Sequence, residues 1–268
     1  MKTALITLTI GDRYEEIGKI THPTFERYAN KIGAEFIVIN DPGEFPHWEK
    51  FQIYDFLVKY NRILYVDTDI IIREDCPNLF NIVPEDKLGI FNEGRFEPRE
   101  SSLREAVSEY GKEVPKWDGS YYNTGVMVIS RKHRSLFAPP NKKVNMGMWE
   151  QPYINLEILT NKIEIEELDY KFNRMTCMDK VLGISRLDSY IVHYAGAPEE
   201  VNLPTIIKKD LYEWQKDTPE YKYKRNVVFC AGGGMGDQLA SEPVMRFVIK
   251  HMFKDLETDY CVVSHWPR

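Results

Sequence analysis

One segment, from Arg62 to Ile72 (RILYVDTDIII), limits the fold of this chain more than any other. It begins with an apolar run bounded by polar residues, which predicts a central β-strand covered on both faces. Asp67 and Asp69 follow that run, and open α/β sheets bind their ligands beyond the carboxyl ends of strands. Residues i and i+2 of a strand point the same way, so both carboxylates can reach one hard cation such as Mg²⁺ or Mn²⁺. The alternative is an acidic turn that closes a strand and binds no metal.

The segments around this strand alternate between strand and helix patterns. The order up to Asp67 is β-α-β-α-β, which predicts parallel strands joined by right-handed crossovers. We therefore expect an α/β fold with a mixed, mainly parallel sheet flanked by helices. The expected strands cover 3–10, 35–39, 88–92, 163–168 and 190–194, and 121–129 is expected to be a turn that enters an apolar strand. Helices are expected from near Pro23 to Gly33, over 48–60 and from near 149, and 95–116 is expected to be a mobile helix or loop.

Composition excludes several classes of protein. The net charge of −6 argues against a protein built to hold nucleic acid. No apolar run approaches the roughly 20 residues of a membrane helix, and the N-terminus reads as a first strand and not as a signal peptide. The four cysteines form no C-x-x-C pair, so we expect reduced thiols in a cytoplasmic protein, without disulfides or zinc.

The chain divides by composition into three parts. Residues 1–200 are expected to form the first domain, and 201–226 a charged linker that contains a helix. Residues 227–268 are expected to begin a second βαβ module, with a strand, a glycine-rich turn at 232–237, a helix over 238–253 and a further strand at 260–263. The remaining length is too short to complete such a domain, so we expect the chain to be cut inside it.

Six short motifs in chain order resemble the nucleotide-sugar glycosyltransferases of the GT-A fold, especially the glycogenin-like family 8. The resemblance covers about residues 1–200. The motifs are Lys50-Phe, Tyr65-Val-Asp-Thr-Asp69, Tyr122-Asn-Thr-Gly-Val-Met127, Glu150-Gln-Pro-Tyr-Ile-Asn155, Leu168-Asp-Tyr-Lys-Phe-Asn173 and Ile191-Val-His-Tyr-Ala-Gly196.

The resemblance implies a divalent metal that neutralises the diphosphate of the donor as the sugar leaves. Asp69 and His193 would be direct ligands, and Asp67 would bridge the ribose and the metal. An imidazole among oxygen ligands favours Mn²⁺ slightly over Mg²⁺. The alternative for His193 is a histidine at a strand end with no ligand role.

The resemblance also implies a set of residues that bind the donor. Lys50 would contact the diphosphate or a sugar hydroxyl, although an exposed helix lysine is the alternative. The segment 123–125 would offer backbone N–H groups and an amide to the donor sugar, or else form a plain turn leading into a strand. A base or ribose would rest at the end of the first strand. The full expected set is Thr9, Gly11, Asp12, Tyr14, Lys50, Asp67, Thr68, Asn123, Thr124, Gly125 and Gly196.

Glu150 and Gln151 occupy the positions that the family places near the anomeric carbon. A carboxylate there can stabilise an oxocarbenium-like transition state, orient the acceptor or attack. The family usually has Asp in place of Glu150, and an acid favoured by the helix dipole is the alternative interpretation. The family also implies retention of the anomeric configuration.

The sequence departs from the family pattern after Gly196. Family members usually continue with a Lys-Pro-Trp stretch whose lysine touches the diphosphate, whereas this chain continues Ala-Pro-Glu-Glu200. Neutralisation of the phosphates would then depend more on the metal, or on Lys208, Lys209 or Arg73.

The C-terminal piece resembles the opening of heptosyltransferase-like GT-B enzymes, in which a glycine-rich turn and an acid follow the first strand. A helix N-terminus at that turn can face an anion or an acceptor. A generic glycine turn for close packing of helix and strand is the equal alternative. A fused second glycosyltransferase would suit polysaccharide biosynthesis.

We therefore predict a metal-dependent glycosyltransferase that moves a sugar from a nucleoside diphosphate, most simply UDP, to a glycan or another hydroxyl acceptor. One alternative is a Mg²⁺-dependent phosphatase with an aspartyl nucleophile. That class normally carries Asp-x-Asp on its first strand, whereas here the motif follows the third. The other alternative is a non-catalytic scaffold that binds nucleotides or carbohydrates.

Overall fold

The structure is a computed structural model that describes residues 1–41, 43, 45–114, 117–196 and 202–215, and the backbone of 227–231 and 260–264. The expected glycine-rich turn at 232–237 and the helix at 238–253 lie outside these residues. The strands are β1 (Thr3–Leu8), β2 (Glu35–Ile39), β3 (Arg62–Asp67), β4 (Ile70–Ile72), β5 (Leu88–Asn92), β6 (Tyr122–Ser130), β7 (Ile165–Glu167), β8 (Arg174–Met175), β9 (Ile191–His193), β10 (Val227–Ala231) and β11 (Tyr260–Ser264). The helices are α1 (Asp12–Ile32), α2 (Ile53–Lys59), α3 (Leu79–Ile82), α4 (Glu100–Tyr110), α5 (Gln151–Thr160), α6 (Asp179–Leu182) and α7 (Leu203–Gln215), joined in places by short 3₁₀ turns.

A six-stranded sheet with the order β2-β1-β3-β6-β5-β7 forms the centre of the first unit. The pairs β1–β2, β1–β3 and β5–β7 are parallel, while β6 is antiparallel to both β3 and β5. Five strands therefore run in one direction, and the predicted mixed, mainly parallel sheet is confirmed. β3 is an interior strand, and its last residue is Asp67.

Both faces of the sheet are covered, as the apolar run in β3 predicts. Ile63 and Tyr65 enter one buried cluster, and Leu64 and Val66 enter another. Because successive side chains of a strand point to opposite faces, the two clusters lie on opposite sides of the sheet. This burial fixes the register of β3 and thus the position of the two acids that follow it.

A second, three-stranded sheet joins distant parts of the chain next to Asp69. Its order is β4-β9-β8, and the antiparallel pairing of β4 with β9 places Ile70 opposite His193. The backbone N–H of Tyr194 donates to the carbonyl of Asp69 at 2.9 Å. This register brings His193 beside the end of the Asp-x-Asp motif.

Three expected elements differ from the structure. Helix α1 begins at Asp12, so the expectation of a start near Pro23 is wrong, and Pro23 lies inside the helix. The face of α1 that contains Ile17, Phe25 and Tyr28 is buried, and this packing offsets the roughly 3 kcal/mol cost of an interior proline. Residues 48–60 form a 3₁₀ turn followed by α2 instead of one helix.

The segment 123–125 does not form the expected turn, because these residues belong to β6. All nine residues of β6 are buried, and its pairing with β5 continues on both sides of a register irregularity at 124–126. The segment 95–116 contains one defined helix, α4.

The chain forms two compact units, Met1–Asp210 and Leu211–Arg268. In the second unit β10 and β11 pair in parallel, and the assignment of a βαβ module there remains a prediction. The division at 200 and 226 and the heptosyltransferase-like character of the second module remain predictions. Among the described residues, the helices are too short or too polar to span a membrane.

Candidate active site

A cavity of about 290 Å³ lies where β1 and β3 end and β6 begins. Its walls carry eleven of the residues that the sequence predicted for the site: Tyr14, Lys50, Asp67, Thr68, Asp69, Asn123, Thr124, Glu150, Gln151, His193 and Gly196.

Four predicted donor-binding residues are not among the residues that line this cavity. Thr9 is buried, and its hydroxyl forms a hydrogen bond with the hydroxyl of Thr68 at 2.8 Å, so Thr9 contacts the Asp-x-Asp motif without lining the cavity. Gly11 and Asp12 are exposed at the start of α1, and Gly125 is buried in β6. Their contact with a donor remains a prediction.

The two carboxylates and the imidazole converge in the cavity. Nε2 of His193 lies 3.5 Å from Oδ1 of Asp69 and 3.7 Å from Oδ2 of Asp67. One ligand atom from each of the three residues lies within 4.8 Å of the other two. The turn between the acids is held by the Thr68 hydroxyl, which donates to the carbonyl of Leu8 at 2.6 Å.

The two carboxylate oxygens of Asp67 have different partners. Its Oδ1 accepts a hydrogen bond from the Tyr65 hydroxyl at 2.8 Å and lies 3.4 Å from Nζ of Lys50. Its Oδ2 faces His193. Burial opposes the charge, but Lys50 and His193 outweigh it and lower the pKa of Asp67.

Burial and the neighbouring carboxylates also act on the pKa values of His193 and Lys50. Burial disfavours the imidazolium of His193, yet the carboxylates of Asp69 and Asp67 raise the pKa of His193 overall. Burial likewise disfavours the ammonium of Lys50, while Asp67 and Glu150 raise the pKa of Lys50. The cavity thus holds a dense set of charges that are balanced by one another.

Lys50 is buried and joins the Asp-x-Asp motif to the start of α5. It forms an ion pair with Glu150, which is 3% exposed, and its Nζ donates to the Thr124 hydroxyl at 3.2 Å. The side-chain oxygen of Gln151 accepts from the backbone N–H of Thr124 at 3.0 Å. The alternative of an exposed helix lysine is therefore wrong for Lys50.

The family model of glycosyl transferase family 8 matches residues 47–198, more than half of the chain. The chain belongs to glycosyl transferase family 8. The protein is therefore an enzyme that transfers glycosyl groups, and the phosphatase and the non-catalytic scaffold are disfavoured as alternatives. A comparison with curated protein sequences gives no match.

Solved structures share the fold of this family 8 glycosyltransferase at low sequence identity. A glycosyltransferase involved in the glycosylation of the major capsid of PBCV-1 is 14% identical, with a TM-score of 0.53 over 78% of this chain and 100% of that chain. The galactosyltransferase LgtC, in complex with donor and acceptor sugar analogues, is 14% identical, with a TM-score of 0.56 over 82% of this chain and 99% of that chain. The bifunctional WbbM is 14% identical, with a TM-score of 0.53 over 82% of this chain and 50% of that chain. This similarity establishes the GT-A fold.

The side chains of this family 8 enzyme fit a divalent cation. Nδ1 of His193 lies 2.9 Å from Oδ1 of Asn173, so the ring donates its Nδ1–H and leaves the Nε2 lone pair facing the two carboxylates. Two carboxylate oxygens and one imidazole nitrogen are ligands that suit Mn²⁺ or Mg²⁺.

Sequence reasoning missed one part of the cavity wall. His47 and Trp149 stack with ring centroids 4.2 Å apart and an interplanar angle of 15°. Trp149 is 49% exposed and adopts a φ of 58°, which is uncommon for a residue other than glycine. The position of Trp149 immediately before Glu150 is the one sequence signal that could have indicated its place in the cavity wall.

Three basic side chains, Arg73, Lys208 and Lys209, were considered as contacts of the diphosphate. Arg73 is not among the residues that line the cavity. Its guanidinium pairs with Asp75, and it lines a separate cavity with Tyr28 and Lys31. Lys208 and Lys209 are exposed on α7. Among the cations expected to contact the donor, Lys50 is the one that lines the cavity.

Proposed function

We propose that this glycosyltransferase uses a nucleoside diphosphate donor, a UDP-sugar, and a divalent cation, Mn²⁺ or Mg²⁺. The observation that carries the proposal is the convergence of Asp67, Asp69 and His193 at the end of an interior strand. A cation held there supplies positive charge to the diphosphate as it leaves.

The protein's own residues prepare the donor for transfer. The ammonium of Lys50, placed between Asp67 and Glu150, provides a fixed positive charge in a buried environment where electrostatic interactions are strong. Because Lys50 and Thr124 hold the Glu150 carboxylate, Glu150 is positioned to stabilise positive charge that develops at the anomeric carbon. Gln151 is fixed by Thr124 next to it.

The proposed acceptor is a glycan whose hydroxyl enters beside Trp149. Exposed indole rings bind the apolar face of a sugar ring, and stacking on His47 keeps this indole in one orientation. Burial lowers the pKa of His47, so its ring is held neutral and presents no charge to such a sugar.

Calorimetry with UDP tests the proposal directly. We expect UDP to bind in the presence of Mn²⁺ and to bind much more weakly with EDTA or after Asp69→Asn. A thermal-shift screen of sugar nucleotides with Mn²⁺ would then find the donor, since a bound donor stabilises the fold by mass action. NMR of the product tests the expected retention.

Absence of UDP binding with either cation, in a protein that is shown to be folded, would contradict the proposed donor. Binding that is equal with and without metal would contradict the proposed role of the three ligands. Asp41→Asn is a suitable control for Asp69→Asn, because Asp41 is an exposed acid that does not line the cavity.

A further inference from the structure

Glu93 is a buried acid behind the active site with no role in the proposed chemistry. It follows β5, is 1% exposed and is not among the residues that line the cavity. Its Oε1 accepts from Nε of Arg99 at 2.6 Å. A buried carboxylate is costly unless it is fully bonded, so the bonds of its second oxygen are informative.

A continuous chain of hydrogen bonds leads from that second oxygen to His193. Nδ2 of Asn123 donates to Oε2 of Glu93 at 3.1 Å, and Nδ2 of Asn173 donates to Oδ1 of Asn123 at 2.9 Å. Oδ1 of Asn173 lies 2.9 Å from Nδ1 of His193. All four residues are at least nine-tenths buried, so water does not compete for these bonds.

The direction of every bond in the chain follows from two constraints on Asn123. The carboxylate of Glu93, paired with Arg99, is an acceptor, so it must face the NH₂ group of Asn123. The backbone N–H of Gly125 donates to the other end of the same amide at 3.0 Å, which requires oxygen there. Asn173 must then turn its NH₂ to Asn123 and its oxygen to His193, and Nδ1 of the ring must carry the proton.

We propose that Glu93 is a positioning residue that sets the tautomer of His193 through the amides of Asn123 and Asn173. This chain of hydrogen bonds from Glu93 to His193, called the relay below, keeps the Nε2 lone pair of His193 directed at the two carboxylates, where a cation would bind. This inference rests on the proposed metal site for its function, but the tautomer itself can be observed without metal.

Glu93→Gln tests the relay because it replaces an acceptor with a group that has one acceptor and one donor. Arg99 has only donors, so the introduced glutamine would turn its oxygen to Arg99 and its NH₂ to Asn123. Two NH₂ groups would then face each other, and either Asn123 and Asn173 both flip or one bond is lost. A flip of both amides turns the NH₂ of Asn173 to Nδ1 of His193 and moves the proton away from Nδ1, as we expect; loss of the one bond instead, with Asn123 still held by the Gly125 N–H, would leave the tautomer unchanged and contradict the proposal.

The first readout is ¹⁵N NMR of histidine-labelled, metal-free protein at alkaline pH, where the imidazole is neutral, with the His193 signals assigned from His193→Gln. We expect the Nδ1–H form in the wild type and loss of that form in Glu93→Gln. The second readout is Mn²⁺ affinity by EPR in the presence of UDP, for which we expect a loss of about 10- to 100-fold, the usual cost of removing a partner of a metal-ligating histidine.

A second substitution separates the relay from a merely structural role. In Glu93→Gln/Arg99→Met the introduced glutamine is free to turn its oxygen to Asn123, so both the tautomer and the Mn²⁺ affinity should recover. If Glu93→Gln does not fold, Asn173→Ala breaks the last bond of the chain and should give the same two changes.

Three results would overturn the proposal: an unchanged tautomer in a folded Glu93→Gln protein, Mn²⁺ affinity within about twofold of wild type alongside an altered tautomer, or no recovery in the double variant. If the wild type binds no Mn²⁺ while its tautomer responds to Glu93→Gln, the relay stands and the proposed metal site fails.

Discussion

Gly125 has no room for a side chain, and this makes Gly125→Ala the sharpest test of the site. A Cβ at this position would lie 2.8 Å from Nδ1 of His193 and 2.9 Å from Oδ2 of Asp67, and closer still to Cε1 of His193. Carbon atoms do not approach nitrogen or oxygen so closely without a bond, so both side chains must move.

The required movement exceeds what a metal site tolerates. Restoring ordinary contact at about 3.4 Å displaces Nδ1 of His193 and Oδ2 of Asp67 by roughly 0.5 Å, whereas metal–ligand distances are held to about 0.2 Å. We expect Mn²⁺ and UDP to bind about 10- to 100-fold more weakly, which corresponds to about 1.4–2.8 kcal/mol. Overpacking should cost a further 1–3 kcal/mol, roughly, in the free energy of unfolding.

Calorimetry for UDP with Mn²⁺ and urea unfolding measure the two effects separately. The control is Gly147→Ala, where a Cβ would meet Glu105 alone among the described residues, at an ordinary 3.6 Å. We expect this control to retain UDP binding. If Gly125→Ala binds Mn²⁺ and UDP as tightly as Gly147→Ala does, the proposed use of His193 and Asp67 as ligands is refuted.

Three further predictions follow from the contacts of the first unit. Trp149→Ala should raise the KM for the acceptor and the fraction of donor that is hydrolysed, while the affinity for UDP with Mn²⁺ stays unchanged. An unaltered ratio of transfer to hydrolysis would contradict the role of Trp149 in binding the acceptor. Lys50→Met leaves Glu150 buried without its ion-pair partner, so it should lower the free energy of unfolding, measured with urea, by about 3–5 kcal/mol. The double variant Lys50→Met/Glu150→Gln should recover part of that loss. If the costs of the two single substitutions add exactly in the double variant, the proposed pairing of Lys50 with Glu150 is contradicted. Burial lowers the pKa of His133 to about 4, below its unfolded value of about 6.5, so the stability present above pH 6.5 is lost as the pH falls towards 4. His133→Asn keeps the acceptor for the backbone N–H of Ser130 and should reduce the change in the free energy of unfolding between pH 7.5 and 5, measured with urea, by about 1–2 kcal/mol. An equal change in both proteins would show that His133 does not titrate this way.

The motifs around Asp67 carried most of what could be predicted about the site. The apolar run before Asp67 indicated an interior strand, because only a strand buried on both faces has no polar alternation. The ordered motifs that include Lys50, Asn123 and His193 indicated the family. In contrast, the start of α1 was misplaced, because the packing of its buried face outweighs the local effect of Pro23.

Other parts of the site were beyond local patterns. Segment 123–125 has turn-forming residues but lies in a strand, at an irregularity of the ladder where side chains of Gln151 and Asn123 bond the backbone N–H groups of Thr124 and Gly125. Trp149 and Glu93 carry no motif of their own. Their importance follows from neighbours that are distant in the chain, His47 for one and Asn123 for the other.

The sequence by itself determined the strand that carries Asp67 and Asp69, the order of strands and helices, and the family. The strand and the order of elements follow from apolar periodicity within short stretches, and the family follows from the ordered motifs that resemble it. Only the tertiary structure decided that His193 faces Asp69, that Lys50 joins Glu150 to Asp67, and that Gly125 must lack a side chain. The first depends on the register of the pairing between β4 and β9, and the other two depend on how remote segments pack around the end of β3; no local preference encodes either.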